Sequence, residues 1–345
     1  VVTSFTSSSM WIRCVVGMGT DQKMRIGVLV TNYNYGRYLP DALGSVQAQN
    51  RRPEIVVVVD DGSTDDSLKI PKECTADIPC VLYAEDRNRG QLCAFQRAAV
   101  KLADESDVVC LLDADDFWSE GYLKGVEEEF HSYARPEMVF SGLRFVAATA
   151  SAGSIVPTDV VPFTFDVGYG DQPADWLRTV FLGQWFGAPT SAIAVRSQLF
   201  AELVHIADGS DWRIRADDVL MFGGAARRLV RRWRSAPEAA VCYRIHGQNS
   251  FAGREPTASE RRRRDLAVIT LLRPYREAWR LFTAQERLEC FQEEADAIFE
   301  TLPAELASAT CQSLVEAAAT DPVDSARFRA ELARIHVERQ PVISE

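Results

Sequence analysis

At 345 residues, with a formal net charge of −11, 47% hydrophobic and 25% charged content, the chain has an ordinary globular composition and can bury one large core or two. The acidic balance argues against a general nucleic-acid binder, which carries a basic face. No run of 18 or more apolar residues occurs, so no integral membrane segment is expected; the nearest approach, Thr179 to Val195, is broken by Gln184, Gly187 and Pro189 and reads as core.

Residues 1–23 are rich in Ser, Thr and Gly without a basic start, so a disordered leader is expected there rather than a secretory signal. Ile26 to Val30 reads as a strand ending at Thr31-Asn32-Tyr33-Asn34, and Leu39 to Gln49 as a helix. Ile55 to Val59 is a continuous β-forming run, the pattern of a strand buried on both faces. It ends at Asp60-Asp61-Gly62-Ser63-Thr64-Asp65, a turn that also caps the next helix. Cys80 to Tyr83 is a third strand, Gly90 to Ala103 a helix and Val108 to Leu112 a fourth strand. That strand runs into Asp113-Ala114-Asp115-Asp116.

Strand and helix alternate over this stretch, which predicts a parallel sheet with right-handed crossovers. Beyond Ser119 a helix to Tyr133 leads into one strand, Met138 to Phe145, and a long loop over 149–175. Ser191 to Val195 and Ala239 to Ile245 read as further strands, with a helix from Asp217 to Leu229 between them. Residues 257–345 have helical periodicity, interrupted near Pro303 and Pro322. The domain expectation is thus a leader (1–23), an α/β domain (24–256) and a helical C-terminal extension (257–345).

Eight cysteines include no CxxC pair, so no zinc site is expected, and a reduced cytoplasmic setting fits best. Two basic clusters, Arg227-Arg228 to Arg234 and Arg261 to Arg264, read as solvated helix faces; phosphate or anionic-membrane contact is the alternative.

The chemistry lies in the acidic turns. Ligands of open α/β sheets bind beyond the carboxyl ends of the strands. Three acids within Asp113 to Asp116 repel one another unless a cation sits among them. Hard oxygen donors suit Mg²⁺ or Mn²⁺, and Mg²⁺ is commonly shared with a substrate phosphate. Asp60-Asp61 ends the second strand on the same edge. It suits a ribose or base, or is plain turn and cap chemistry. No GxGxxG follows the first strand and no GxxxxGK[ST] occurs, so neither a dinucleotide fold nor a P-loop is supported.

The ordered set Val28 to Asn34, Val58 to Asp65, Asn88-Arg89-Gly90-Gln91 and Leu111 to Asp116 closely resembles family 2 glycosyltransferases, over about residues 25–255. The resemblance implies a GT-A-type mixed, mostly parallel sheet flanked by helices, binding a nucleotide-diphosphate sugar, most commonly a UDP-sugar. It implies nucleotide-sugar contacts from Thr31, Tyr33, Asn34, Asp61, Asn88, Gly90, Gln91, Asp113, Ala114 and Asp115. Asp113, Asp115 and Asp116 become ligands for Mn²⁺ or Mg²⁺. His246, in Tyr243-Arg244-Ile245-His246, becomes a further metal ligand. Arg215-Ala216-Asp217-Asp218 stands where the family carries its acidic catalytic motif, but with Ala216 in place of Glu. The base is therefore Asp217 or Asp218, with Asp217 favoured by its spacing to Leu220. Gly187 to Ser191 resembles the acceptor loop, and Trp118, Trp185 and Phe186 are candidates to stack on a sugar ring.

The expected reaction is inverting, metal-dependent transfer to an acceptor hydroxyl of a glycan or lipid-linked glycan in polysaccharide synthesis. The expected setting is cytoplasmic, at or near the inner face of a membrane, with peripheral association and an open oligomeric state. Three rivals are weaker. A sugar nucleotidyltransferase usually has a Gly-rich basic loop where this chain has Thr31 to Asn34. A haloacid-dehalogenase-type phosphatase needs Thr or Val where Phe117-Trp118 stands. A non-catalytic nucleotide-sugar-binding scaffold is prompted by Ala216.

Overall fold

The first strand, β1 (Ile26–Asn32), is buried along its whole length, because it lies inside a sheet covered on both faces. This computed structural model describes residues 23–69, 78–132, 136–151, 176–213, 215–227, 231–234, 240–247, 249 and 255–339. The expected leader and nearly all of the expected 149–175 loop lie outside them. Helix α1 (Leu39–Gln47) turns its apolar residues inward and begins with Pro40 in its first turn, where a missing N–H is harmless. Strand β2 (Ile55–Asp60) is wholly buried, and each fully buried valine there contributes about 1.5–3 kcal/mol.

The Asp60 turn leads into a single 3₁₀ turn, Asp66–Lys69. Strand β3 (Cys80–Ala84) is followed by helix α2 (Gln91–Glu105), which buries Leu92, Phe95, Ala99 and Leu102 at helical spacing. Strand β4 (Val108–Asp113) and the short β5 (Phe117–Trp118) bracket the acidic turn, and helix α3 (Tyr122–His131) comes next.

The expected single strand from Met138 to Phe145 is two strands, β6 (Met138–Ser141) and β7 (Leu143–Ala147). Gly142 separates them, and they join different sheets. Two short helices, α4 (Trp176–Leu182) and α5 (Ser197–Leu203), flank β8 (Ile193–Arg196); the sequence pattern did not mark either. Helix α6 (Asp217–Ala226) precedes β9 (Arg231–Arg234) and β10 (Val241–Ile245). The expectation of a solvated helix face over 227–234 is thus corrected, since Arg231–Arg234 is a strand paired with β6.

The main sheet has the order β3-β2-β1-β4-β8-β6-β9, and a second, smaller sheet runs β5-β10-β7. Pairing is parallel from β3 through β4, and β8 runs antiparallel to both β4 and β6. The expected α/β class, a mixed and mostly parallel sheet flanked by helices, is what forms. Register decides the site: Asn32 pairs with Asp60 and Thr31 with Asp113, so both acidic turns leave one sheet edge.

The chain divides into two compact units, Arg25–Arg273 and one containing Pro274–Glu345, with the division at Pro274 inside helix α7 (Ala258–Trp279). The second unit carries the expected C-terminal helices α8 (Ala284–Thr301), α9 (Ala304–Ala318) and α10 (Pro322–Glu338). Thr283 and Glu286 form a reciprocal capping box at the start of α8, and Asp321 caps α10. Inside this unit Arg287 pairs with Asp324 at 2.6 Å, and Phe291 stacks on Phe328 at 4.6 Å.

Candidate active site

A cleft of about 880 Å³ opens at the carboxyl edge of β1, β2 and β4. It is lined by Thr31, Tyr33, Asp61, Asn88, Gln91, Asp113, Asp115, Asp116 and Asp217, all expected from the sequence. Asn34, Gly90, Ala114, Asp218 and His246 do not line it.

On the β2 side, Asp61 accepts from the backbone N–H groups of Arg89 and Gly90, each at 2.7 Å. Burial nevertheless pushes its carboxyl up, against those two donors. Asp61 therefore holds the Asn88–Gly90 loop against the cleft. Gly90 is required there: its φ is +99°, and a Cβ would meet the Arg213 backbone at 2.4 Å. Asn34, at φ 58°, braces the same region through Oδ1, which accepts from Thr64 N at 2.8 Å. Asn32, inside the first motif, also reaches this region. Its Nδ2 donates to Asp60, while its buried Oδ1 has no hydrogen-bond donor among the described residues.

On the β4 side, Asp113 Oδ1 accepts from Thr31 Oγ1 at 2.7 Å and from Gln91 Nε2 at 2.9 Å. Burial and the Asp115 charge push the Asp113 carboxyl up to about 7. Burial and Asp115 likewise push Asp116 well up. Asp116 is enclosed by protein donors: Ser191 Oγ at 2.6 Å on one oxygen and Arg244 N–H at 2.8 Å on the other. Carboxylate oxygens of Asp113, Asp115 and Asp116 lie within 4.8 Å of one another. Three crowded, desolvated acids with hard oxygen donors suit a divalent Mn²⁺ or Mg²⁺, which offsets their mutual repulsion.

The second sheet supplies the rear wall. Arg244 is buried and spans the turn: Nε donates to Asp115 O at 2.8 Å and Nη2 to Asp41 at 2.9 Å, with the guanidinium over the Tyr38 ring. Sequence reasoning missed this residue because an isolated arginine in a strand carries no local sign of its partners. His246 Nε2 sits 3.0 Å from Asp115 Oδ2, its ring fully buried between Tyr35 and Tyr38.

Helix α6 supplies a further part of the lining. Asp217 opens onto the cleft, and burial with the neighbouring Asp218 charge pushes it up to about 7. Asp218 is fully buried, with both oxygens taken by Arg264 and Arg215. The Arg261 to Arg264 cluster is therefore not wholly a solvated face. Trp118 is also core: it is 3% exposed, donates Nε1 to Ser191 O at 2.9 Å and stacks on Tyr122. Trp185 and Pro189 do line the cleft, while Phe186 lies under Arg178.

The family model described as glycosyl transferase family 2 matches residues 27–135, the segment carrying both acidic turns. The chain carries a glycosyl transferase family 2 domain over these residues. It is a glycosyltransferase. An uncharacterized glycosyltransferase of Nostoc sp., alr2836, is 27% identical over 259 residues, 73% of this chain and 74% of that protein. Glycosyltransferase GlyA of Streptococcus pneumoniae is 31% identical over 109 residues, which cover 32% of this chain and only 15% of GlyA. Among solved structures, S. aureus TarS 1–349 in complex with UDP-GlcNAc aligns at TM-score 0.49 and 15% identity, covering 92% of this chain and 93% of that one. In this glycosyltransferase, no helix of the described residues is long and apolar enough to cross a membrane.

Proposed function

We propose that the cleft transfers a glycosyl unit, with inversion, from a nucleotide-diphosphate sugar to an acceptor hydroxyl, with Asp217 as the base. The observation that carries this reading is that one cleft is lined both by Asp113, Asp115 and Asp116 and by Asp217, with Gln91 bonded to Asp113 and to Ala216 beside Asp217. Asp217 rather than Asp218 takes the base role, because Asp218 has no oxygen facing the cleft and is committed to two guanidinium groups. A carboxyl raised toward neutrality, open to the cleft, is suited to accept a hydroxyl proton as the acceptor attacks the anomeric carbon.

Asp115, beside His246, is the first ligand for Mn²⁺ or Mg²⁺, with Asp113 next to it; Asp116, enclosed by Ser191 and Arg244, mainly shapes the turn. The bound cation would neutralise charge on the departing diphosphate. Tyr33, half-exposed at the rim, offers a face to the base, and Asn32 Oδ1 offers an acceptor. Asp61, Asn88 and Gly90 form the ribose side, and Gln91 joins it to the acidic turn. The loop at Pro189 and Thr190, with Trp185, forms the acceptor side.

We place the catalytic domain at 24–256 and the helical extension at 257–345. The acceptor is a glycan or lipid-linked glycan of polysaccharide synthesis, met in the cytoplasm at the inner membrane face by peripheral association. UDP-sugars are the first donors to try. The test is release of nucleotide from UDP-, GDP- and dTDP-sugars with Mn²⁺ or Mg²⁺, in wild type and Asp217→Asn. Release by wild type that Asp217→Asn loses supports the reading. Nucleotide binding without release from any donor would favour a non-catalytic scaffold instead.

A further inference from the structure

Helix α6 has an unusual start. Its N-cap is Ala216, which has no side-chain oxygen to satisfy the first-turn N–H groups, and the preceding Arg215 sits at φ +64°. A left-handed arginine is not a local preference, although the first-turn N–H groups are bonded: Asp218 N to Arg215 O at 3.0 Å and to Asp217 Oδ1 at 3.1 Å, and Val219 N to Ala216 O at 3.1 Å. Contacts from outside the helix add to these. The structure supplies a buried ion cluster directly behind the first turn. Arg264 of α7 donates to Asp218 through Nε at 2.7 Å and through Nη2 at 3.2 Å, and Arg215 Nη2 adds a third bond at 3.2 Å. The two-pronged contact fixes orientation as well as distance, because the guanidinium fork is planar. Arg264 also lies over the Phe222 ring one turn along α6, at 5.8 Å.

We propose that Arg264 is a positioning residue for glycosyl transfer: by clamping Asp218 it sets the first turn of α6, and so aims Asp217 at the donor site. This rests on the reading of Asp217 as the base. Arg264 lines the cleft as well, but its guanidinium bonds go to Asp218. The charged groups around Asp217 are Asp218 and Arg215 on its own segment, Arg264 from α7 and Asp113 across the cleft. Removing the Arg264 cation leaves Asp217 facing more uncompensated negative charge. Removing the Asp218 charge does the opposite. The two substitutions therefore move the acidic limb of the rate profile in opposite directions while both loosen the same turn.

The experiment compares wild type, Arg264→Ala, Arg264→Lys, Asp218→Asn and Asp217→Asn. Each is assayed with UDP-glucose, UDP-N-acetylglucosamine and GDP-mannose in Mn²⁺, following nucleotide release across pH 5.5–9 together with thermal stability. Arg264→Ala is expected to lower kcat at least tenfold with donor KM within threefold, and to move the acidic limb to higher pH. Asp218→Asn is expected to lower kcat comparably but move that limb to lower pH. Arg264→Lys should restore the limb and only part of the rate, since it keeps the charge and loses the fork. A KM that rises in step with the fall in kcat would make Arg264 a donor ligand and overturn the proposal. So would a loss of thermal stability with kcat and the pH limb unmoved, which marks a brace and nothing more. Full turnover in Asp217→Asn would instead remove the base reading itself. If Arg264→Ala does not fold, a reduced rate with an unmoved limb in Arg264→Lys, beside a limb at lower pH in Asp218→Asn, supports the proposal, and an unchanged rate in Arg264→Lys with an unmoved limb in Asp218→Asn overturns it.

Discussion

Gln91 Nε2 donates to Asp113 Oδ1 at 2.9 Å while Gln91 Oε1 accepts the Ala216 N–H at 3.1 Å, so one side-chain amide joins the acidic turn to the helix carrying Asp217. Both ends of this amide are engaged by protein groups. Gln91 thus spaces the two walls of the cleft and completes the N-terminus of α6, where Ala216 provides no cap.

Replacing Gln91 by Leu removes both bonds at similar volume. We expect a stability loss of about 1–3 kcal/mol from the orphaned partners, and a kcat lower by on the order of 10²-fold, since small misplacements of reacting groups have that effect. Urea denaturation and steady-state kinetics on the same preparation measure both. Unchanged kinetics would show that Gln91 does not set the spacing.

Asp217 is pushed up from 3.8 to about 7 by burial and by Asp218, which has two consequences. As the base it must be ionised, so kcat/KM should fall about tenfold per pH unit below pH 7. Folding disfavours its charged form, so its contribution to stability declines as pH rises between 3.8 and about 7. Asp217→Asn should therefore be more stable than wild type at pH 8, by about 1–2 kcal/mol, with the difference vanishing near pH 4. Its turnover should drop by on the order of 10²-fold or more. Thermal melts at both pH values, beside rate measurements, check the sign.

Chelation with EDTA should abolish turnover, and Mn²⁺ should restore it. With UDP present, Mn²⁺ at a hundred times its dissociation constant should add about 2.7 kcal/mol of apparent stability. Asp115→Asn should remove most of that increment, and Asp116→Asn should mainly lower stability without metal, because Ser191 and Arg244 are its partners. Differential scanning fluorimetry with each variant separates the two roles. Equal metal response in all variants would move the cation elsewhere.

Arg244 is 1% exposed, and its guanidinium and backbone join Asp41, Asp115 and Asp116. Arg244→Met keeps the apolar stem but strands Asp41 and the turn carbonyl, so a destabilisation of about 3–5 kcal/mol is expected. His246, two residues further along the same segment, should then lose its register on Asp115. Chemical denaturation gives the magnitude, and a loss below about 1 kcal/mol would contradict the assignment.

The parallel strands β1 to β4 were legible because their signal is local. A continuous run such as Ile55 to Val59 satisfies itself only between two covering layers, whatever the rest of the chain does. Where the local signal is ambiguous, reading failed: Met138 to Phe145 is apolar through most of its length, but the chain leaves one sheet at Ser141 and joins the other at Leu143. Arg231 to Arg234 reads as a polar surface and forms a strand, because pairing with β6 is a property of the sheet and not of the segment.

By itself, then, the sequence determined the α/β class, the sheet edge and the acids that stand on it. Those arise from side-chain period and turn chemistry within a few residues. Which of those acids faces the cleft and which is enclosed was decided only by tertiary structure. Asp217 and Asp218 are neighbours with the same chemistry, and the long-range approach of Arg264, added to the local Arg215, makes one a buried ion-pair partner while the other stays open. Asp115 and Asp116 both line the cleft, but Ser191 and Arg244 take both oxygens of Asp116. A long cationic side chain selects its partner by the path of the whole backbone, and that path is not written in its neighbours.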